Sequence, residues 1–475
     1  MAGWTSLTEL VSRELEQALE EGKCPDALQT LRGDIERSAN DDVALAALHA
    51  KLVALPVRAD FPFNEPTELS AILPLRKNTV AAKSVVVDDD LHDKLLGAWL
   101  GRCGGCALGK PVEMIGICPP AAVRQHTWRD IKRYLTAIDP NEWPIRDFIP
   151  EHSPAEGEMT ALIAPSSTRE HIAFMESDDD IRYTVLGQIV LTEKGPHFTT
   201  DDVADVWLQR LPYRSVCTAE TQAYRNLIVR YDSHESTRWS IGPRPIDWNW
   251  VATHLNPYRE WIGAQIRVDS YGYAAPGNPA LAADFAWRDA RLSHVKNGVY
   301  GAMVCAAMIA AAFTAKDMQE IVQAGLGEIP ATSRIYAEMQ DVVALCKQYD
   351  NNWDHHEAVF DGICARLGHY SNIHTNNNLA VCIASVLLSG GDFHKGLTAS
   401  VMAGFDTDCN GATVGSIMGA FAGAKNISSH WTARFNDTLN SEIAGYHPIA
   451  ITECARRSAE IVRKVQASSV PATQG

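Results

Sequence analysis

Two short acidic runs carry the chemistry of this chain. Ser177-Asp178-Asp179-Asp180 stands directly before an apolar helical run, and Gly404-Phe405-Asp406-Thr407-Asp408-Cys409-Asn410 opens a stretch of small residues from Gly411 to Gly423. Carboxylates grouped in this way are the oxygen ligands that hard divalent cations take. Each run has an ordinary alternative, because acids at a helix N-terminus cap free amides and favour the macrodipole. Three adjacent carboxylates still repel one another unless something positive lies among them. Metal binding is favoured because both runs share one architecture, a carboxylate cluster at the mouth of a helix. The scattered serines and histidines form no nucleophilic triad. Cys103 and Cys106 make a CxxC, but no second pair follows at zinc spacing. Gly104-Gly105 between the two small thiols reads as tight helix packing.

The elements that must position these runs are helices. Leu91, Leu95, Leu96, Trp99 and Leu100 are apolar at helical spacing, and glycines 97, 101, 104, 105 and 109 fall roughly on one face. Glycine costs about 1 kcal/mol per helical site relative to alanine, so this many of them imply close helix–helix contact. Upstream, residues 1 to 55 read as three amphipathic helices and Pro56 to Val87 as a proline-bearing connector. Residues 1–85 are therefore a helical extension, 86–468 the main domain and 469–475 a disordered tail. Weak periodicity and repeated prolines make 114–175 an irregular insertion, and the aromatic-rich 231–280 is a second. Further helices are expected at 181–194, 200–211, 280–293, 298–314, 316–325, 331–349, 353–367, 377–389, 392–402, 411–424 and 450–466. With no alternating strand pattern among them, the fold class is all-α.

The chain has 475 residues, 46% hydrophobic and 21% charged, the composition of a globular protein. A formal charge of -16 argues against a nucleic-acid partner, while bound cations would still let a small anion approach. No apolar run is long enough to span a membrane, and the N-terminus lacks the pattern of a signal peptide. Eleven scattered cysteines fit a reducing cytoplasm.

The run from Gly404 through Asp406, Asp408 and Asn410 to Ala412 resembles the GxDTDxNxA signature of the ADP-ribosylglycohydrolase family, the dinitrogenase-reductase-activating type. Leu96 to Gly101, followed by Gly105 to Glu113, resembles that family's GALLG…GDALGxPVE element, and Asp178 to Thr184 its TDDT element. The three motifs keep the family's order over about residues 90–465. The resemblance implies an all-α fold with two Mg²⁺ ions, or Mn²⁺, in a central cleft. Their ligands would be Asp178, Asp179, Asp180, Asp406 and Asp408, with Ser177 an alternative opening ligand. Glu113, Asp179 and Asp408 would act on the catalytic water. Gly105, Arg267, Tyr273, His294 and Gly404 would meet the substrate. For three of these a second reading stands: an ion pair for Arg267, a packed turn for Tyr273 and a packed histidine for His294. Capping accounts for Asn376, Asn377 and Asn378 without a ligand. Two departures stand out. Cys409 replaces a frequent threonine and is a poor ligand for Mg²⁺. Cys106 replaces an aspartate that would support the ligands from behind.

The implied activity is cleavage of an N- or O-glycosidic bond to ADP-ribose, on a small-molecule or ADP-ribosylated substrate. Two other readings remain, an N-glycosidase of a small nucleoside-like or sugar metabolite and a non-catalytic, crystallin-like binding relative. Retention of all five aspartates weighs against the last, because an unused metal site leaves buried like charges uncompensated.

Overall fold

Three helices form the N-terminal part: α1 (Leu7–Glu20), α2 (Pro25–Arg37) and α3 (Asp42–Ala54). The computed structural model describes residues 4–117, 127–156, 162–235 and 246–469; the expected tail falls almost wholly outside them. Ser6 and Asp41 cap α1 and α3 by accepting backbone amides, and Pro25 occupies the first turn of α2. Val11, Leu15, Leu28, Ile35, Leu45, Leu48 and Leu52 close into a small buried cluster of their own. A different face of α1 docks on the rest of the chain. Leu10 packs with Ala219, Tyr258, Trp261 and Ile373. Arg259 grips Glu14 with Nη1 and Nη2 at 2.7 and 2.8 Å, and Glu21 with Nε at 3.0 Å. Such a two-pronged guanidinium contact fixes orientation as well as distance.

The main body is built on α4 (Asp89–Gly109), α5 (Asp179–Glu193), α6 (Thr218–Glu235), α7 (Lys296–Ala312), α8 (Thr375–Ser389), α9 (Phe393–Met402), α10 (Thr407–Ala422) and α11 (Ile451–Ser469). Every residue of α8, and every residue of α7 after Lys296, is buried, as expected of helices that are apolar or small on all sides. The all-α class holds: the described residues contain one two-residue antiparallel strand pair, Thr438–Leu439 with Ile449–Ala450. No helix among them is long and apolar enough to cross a membrane.

The glycines of α4 meet those of α10. The two helices run antiparallel in direct backbone contact. A Cβ on Gly97, Gly101, Gly105 or Gly109 would stand 2.4, 2.0, 1.8 or 2.2 Å from the carbonyl oxygens of Gly419, Gly415, Gly411 and Thr407. Gly104 is off this seam, since its Cβ would make an ordinary contact, 3.5 Å from Trp431 O. Cys103 and Cys106 flank the seam as buried free thiols.

The stretches expected to be irregular hold more helix than their periodicity suggests. Thr127–Ile138 is a helix within 114–175, and α6 runs into the start of 231–280. Ile262–Arg267 and Asp269–Ala274 are six-residue helical segments buried in the core. Segments of six residues are too short to show a helical period, so their aromatics looked like loop residues.

Candidate metal centre

The seam brings two of the acidic elements together. Thr407 Oγ1 donates to Gly109 O at 2.8 Å, tying the end of α4 to the start of α10. The chain then passes through Lys110-Pro111-Val112 into a short helix, Glu113–Ile117. Glu113 thereby lies with Asp406 and Asp408, their nearest carboxylate oxygens all within 4.8 Å of one another. Gly404 and Phe405 both have positive φ, 78° and 59°, which turns the chain into α10. Asp406 occupies the N-cap position, yet its side chain makes no capping hydrogen bond of ordinary geometry. Against burial, the Cys409 amide and thiol still lie close enough to pull its carboxyl down, so capping alone does not account for Asp406. Capping holds at Asp178, which accepts Asp180 N–H at 3.1 Å.

Arg102 fastens the third element. It is fully buried in the middle of α4 and donates to Asp180 O from Nε and Nη2 at 3.2 and 2.8 Å. It pairs with Asp180 Oδ1 at 3.0 Å and with Asp269 Oδ1 at 2.9 Å. Behind α10, Asn378 Oδ1 accepts from Asp406 N at 3.0 Å and Asn410 Nδ2 at 2.8 Å. Asn378 is thus more than the cap its sequence suggests.

The charges are unevenly compensated. Lys110 Nζ lies 2.9 Å from Asp178 Oδ2 and donates to Ser177 O at 2.7 Å. Burial works to raise Asp178, but the Lys110 ammonium holds its carboxyl below the usual carboxylate range. The other carboxyls rise. Burial and the Asp178 charge push Asp179 up to about 8. Burial and then Asp406 raise Glu113; burial and then Glu113 raise Asp408. Burial raises Asp180 against the pull of Arg102, and it raises Asp406. Asp180 Oδ2, Asp406 Oδ1 and Asp408 Oδ1 are buried without a hydrogen-bond partner. Orphaned anionic oxygens of this kind are what a bound divalent cation satisfies, so the residue set fits one.

The remaining candidates lie in the packing around this centre. Gly105 belongs to the seam, and a Cβ on Gly404 would strike Thr127 Oγ1 at 2.3 Å. Arg267 is 1% exposed, with Nη1 bonded to Glu220 and Ser293 and Nε to Asp289. Those bonds engage its guanidinium inside the core. Tyr273 is buried, its hydroxyl paired with Ser416 and its ring 5.6 Å from that of Trp99. His294 is buried beside Ser293 Oγ at 2.8 Å, and burial followed by the Arg267 charge pushes its imidazole well below the usual range. Sequence reasoning missed Lys110, Arg102 and the Asp406 contact of Asn378. Arg102 had a usable signal, a lone cation within a glycine- and cysteine-rich helix.

A family model described as ADP-ribosylglycohydrolase matches residues 87–464. Among solved structures, a chain of an "ADP-ribosylglycohydrolase-related protein complex" is similar at 18% identity and a TM-score of 0.48, over 80% of this chain and 100% of that one. Comparison with curated proteins finds no match.

Proposed function

The chain belongs to the ADP-ribosylglycohydrolase family, and from that premise we propose that it is a divalent-cation-dependent glycohydrolase, cleaving an N- or O-glycosidic bond at the anomeric carbon of ADP-ribose or a related ribosyl substrate. The observation that carries this reading is the set of three orphaned, buried carboxylate oxygens on α5 and α10. Without a cation those oxygens stand as buried polar atoms with nothing to offset their burial.

Glycosidic cleavage passes through an oxocarbenium-like state and needs an activated water. Bound cations, Mg²⁺ or Mn²⁺, would supply the acidity that makes water nucleophilic and the charge that orients ribose hydroxyls. Asp179, Asp180, Asp406, Asp408 and Glu113 offer oxygens to the cations. Asp178, whose two oxygens already take Asp180 N–H and Lys110, adds its charge. Asp178, Asp180, Asp406 and Asp408 are buried, whereas Asp179 and Glu113 are only partly so. Those two are therefore the carboxylates within reach of a water delivered with substrate. One takes the water's proton and the other orients it.

The test is hydrolysis of ADP-ribosyl-arginine, ADP-ribosyl-serine, O-acetyl-ADP-ribose and simple nucleosides, with Mg²⁺ and with EDTA. Metal-dependent release from one class, abolished in Asp406→Ala/Asp408→Ala, is expected. Equal turnover with EDTA would sink the metal-dependent reading. A second reading is a small free metabolite as substrate: a groove of about 710 Å³, lined by α1 with Ile117, Tyr370 and Asn372, lies at the end of the Glu113–Ile117 helix, although none of the centre's carboxylates lines it. That is the size of a small-molecule site. Turnover of nucleosides alone would select it.

A further inference from the structure

We propose that this centre has two chemically different cation seats, and that the second takes a sulfur ligand, Cys409, and selects a borderline transition metal such as Zn²⁺ or Co²⁺ over Mg²⁺. The inference rests on the metal-dependent reading above and goes beyond it in assigning the ligand and the class of metal.

Two groups of donor atoms share Asp408. In one, Glu113, Asp406 and Asp408 present carboxylate oxygens within 4.8 Å of one another; in the other, Asp180, Asp408 and Cys409 present two oxygens and a sulfur within the same limit. The second group is closed to water: Asp180 is 0%, Asp408 3% and Cys409 6% exposed. It also has an unmet demand. Arg102 pairs with Asp180 Oδ1, while Asp180 Oδ2 and Asp408 Oδ1 have no partner. The Cys409 sulfur lies within 4.8 Å of a carboxylate oxygen of each of these two residues.

Ligand chemistry then separates the seats. An all-oxygen set suits Mg²⁺ and Mn²⁺, whereas a thiolate favours Zn²⁺ and its neighbours. On binding, the S–H bond of Cys409 breaks, the sulfur–metal bond forms and the proton passes to the buffer. Nothing is oxidised or reduced.

The experiment titrates metal-free full-length protein with Co²⁺ and reads the near-ultraviolet band of sulfur-to-cobalt charge transfer. The band is expected in the wild type and in Cys106→Ser, and is expected to vanish in Cys409→Ser. The latter should bind Co²⁺ about 10–100-fold more weakly at that seat, the scale on which metal sites register altered ligand support. Mg²⁺ binding by Cys409→Ser should be undiminished and should gain at the second seat, which serine makes all-oxygen. Co²⁺ binding without the band, or a band lost in Cys106→Ser instead, overturns the assignment but leaves the proposed reaction standing. No binding of any divalent cation overturns both. X-ray absorption of the Zn²⁺-loaded Cys106→Ser protein, in which the Cys106–Asp178–Asp180 group has lost its sulfur, keeps the proposal testable if Cys409→Ser does not fold. A sulfur at about 2.3 Å supports it, and oxygen or nitrogen alone at about 2.0–2.2 Å refutes it.

Discussion

Arg102 holds two carboxylates, Asp180 and Asp269, where no solvent reaches. Removing the cation strands both charges, and breaking a buried pair from one side costs about 3–5 kcal/mol. Arg102→Met should lose that much in chemical denaturation; a loss under about 1 kcal/mol would mean that the pairs carry no such weight. Asp406 and Asp408 behave in the opposite sense, since each lacks a partner for one oxygen without metal. A cation at a hundred times its dissociation constant should stabilise the wild type by about 2.7 kcal/mol. Asp406→Asn/Asp408→Asn should show no such gain in melting temperature, and an undiminished shift would place the cation elsewhere.

At the scale of elements, the contrast to exploit is between two neighbouring glycines. Gly105 faces Gly411 O with room for no further atom, while Gly104 faces Trp431 O across an ordinary contact. Gly105→Ala should overpack the seam, at a cost of about 1–3 kcal/mol or more. Gly104→Ala should be neutral or up to about 1 kcal/mol stabilising, because alanine is the better helix former. Thermal unfolding of the pair separates the cases; equal losses would show that the seam is not what the glycines serve. This seam was legible in the sequence, since glycines at helical spacing have few other uses. The acidic runs were legible too, because ligands cluster in sequence at helix starts. The support behind them was not. Lys110 and Arg102 compensate Asp178 and Asp180 from another helix, a relation with no sequence spacing to betray it. Arg267 and Tyr273 lie in six-residue segments too short to show a period, and His294 lies in the link before α7, so nothing in their spacing signalled that all three are buried.

For the whole molecule, the junction that matters is between α1 and the body. Burial opposes ionisation of Glu21, but Arg259 and Lys296 hold its carboxyl below the usual range. A carboxyl lowered by folding stabilises above its unfolded value, 4.5, and that stability is lost as pH falls below it. Acidification below that value should therefore loosen α1 from the body before the body itself unfolds. Hydrogen exchange in α1 should rise ahead of exchange in α7 and α8, and coincident loss of protection would refute the order. The same junction also has a history in synthesis. Arg259 lies 245 residues after Glu14, so at roughly 5–20 residues per second it emerges roughly 10–50 s later. During that interval the three N-terminal helices can already bury their own leucines. The face they keep for the body carries Glu14, Gln17 and Glu21 with Leu10. Apart from Leu10 and Trp4, that waiting surface is made of acids and amides that stay wetted, so the apolar area the nascent chain holds open for its partner is confined to those two side chains.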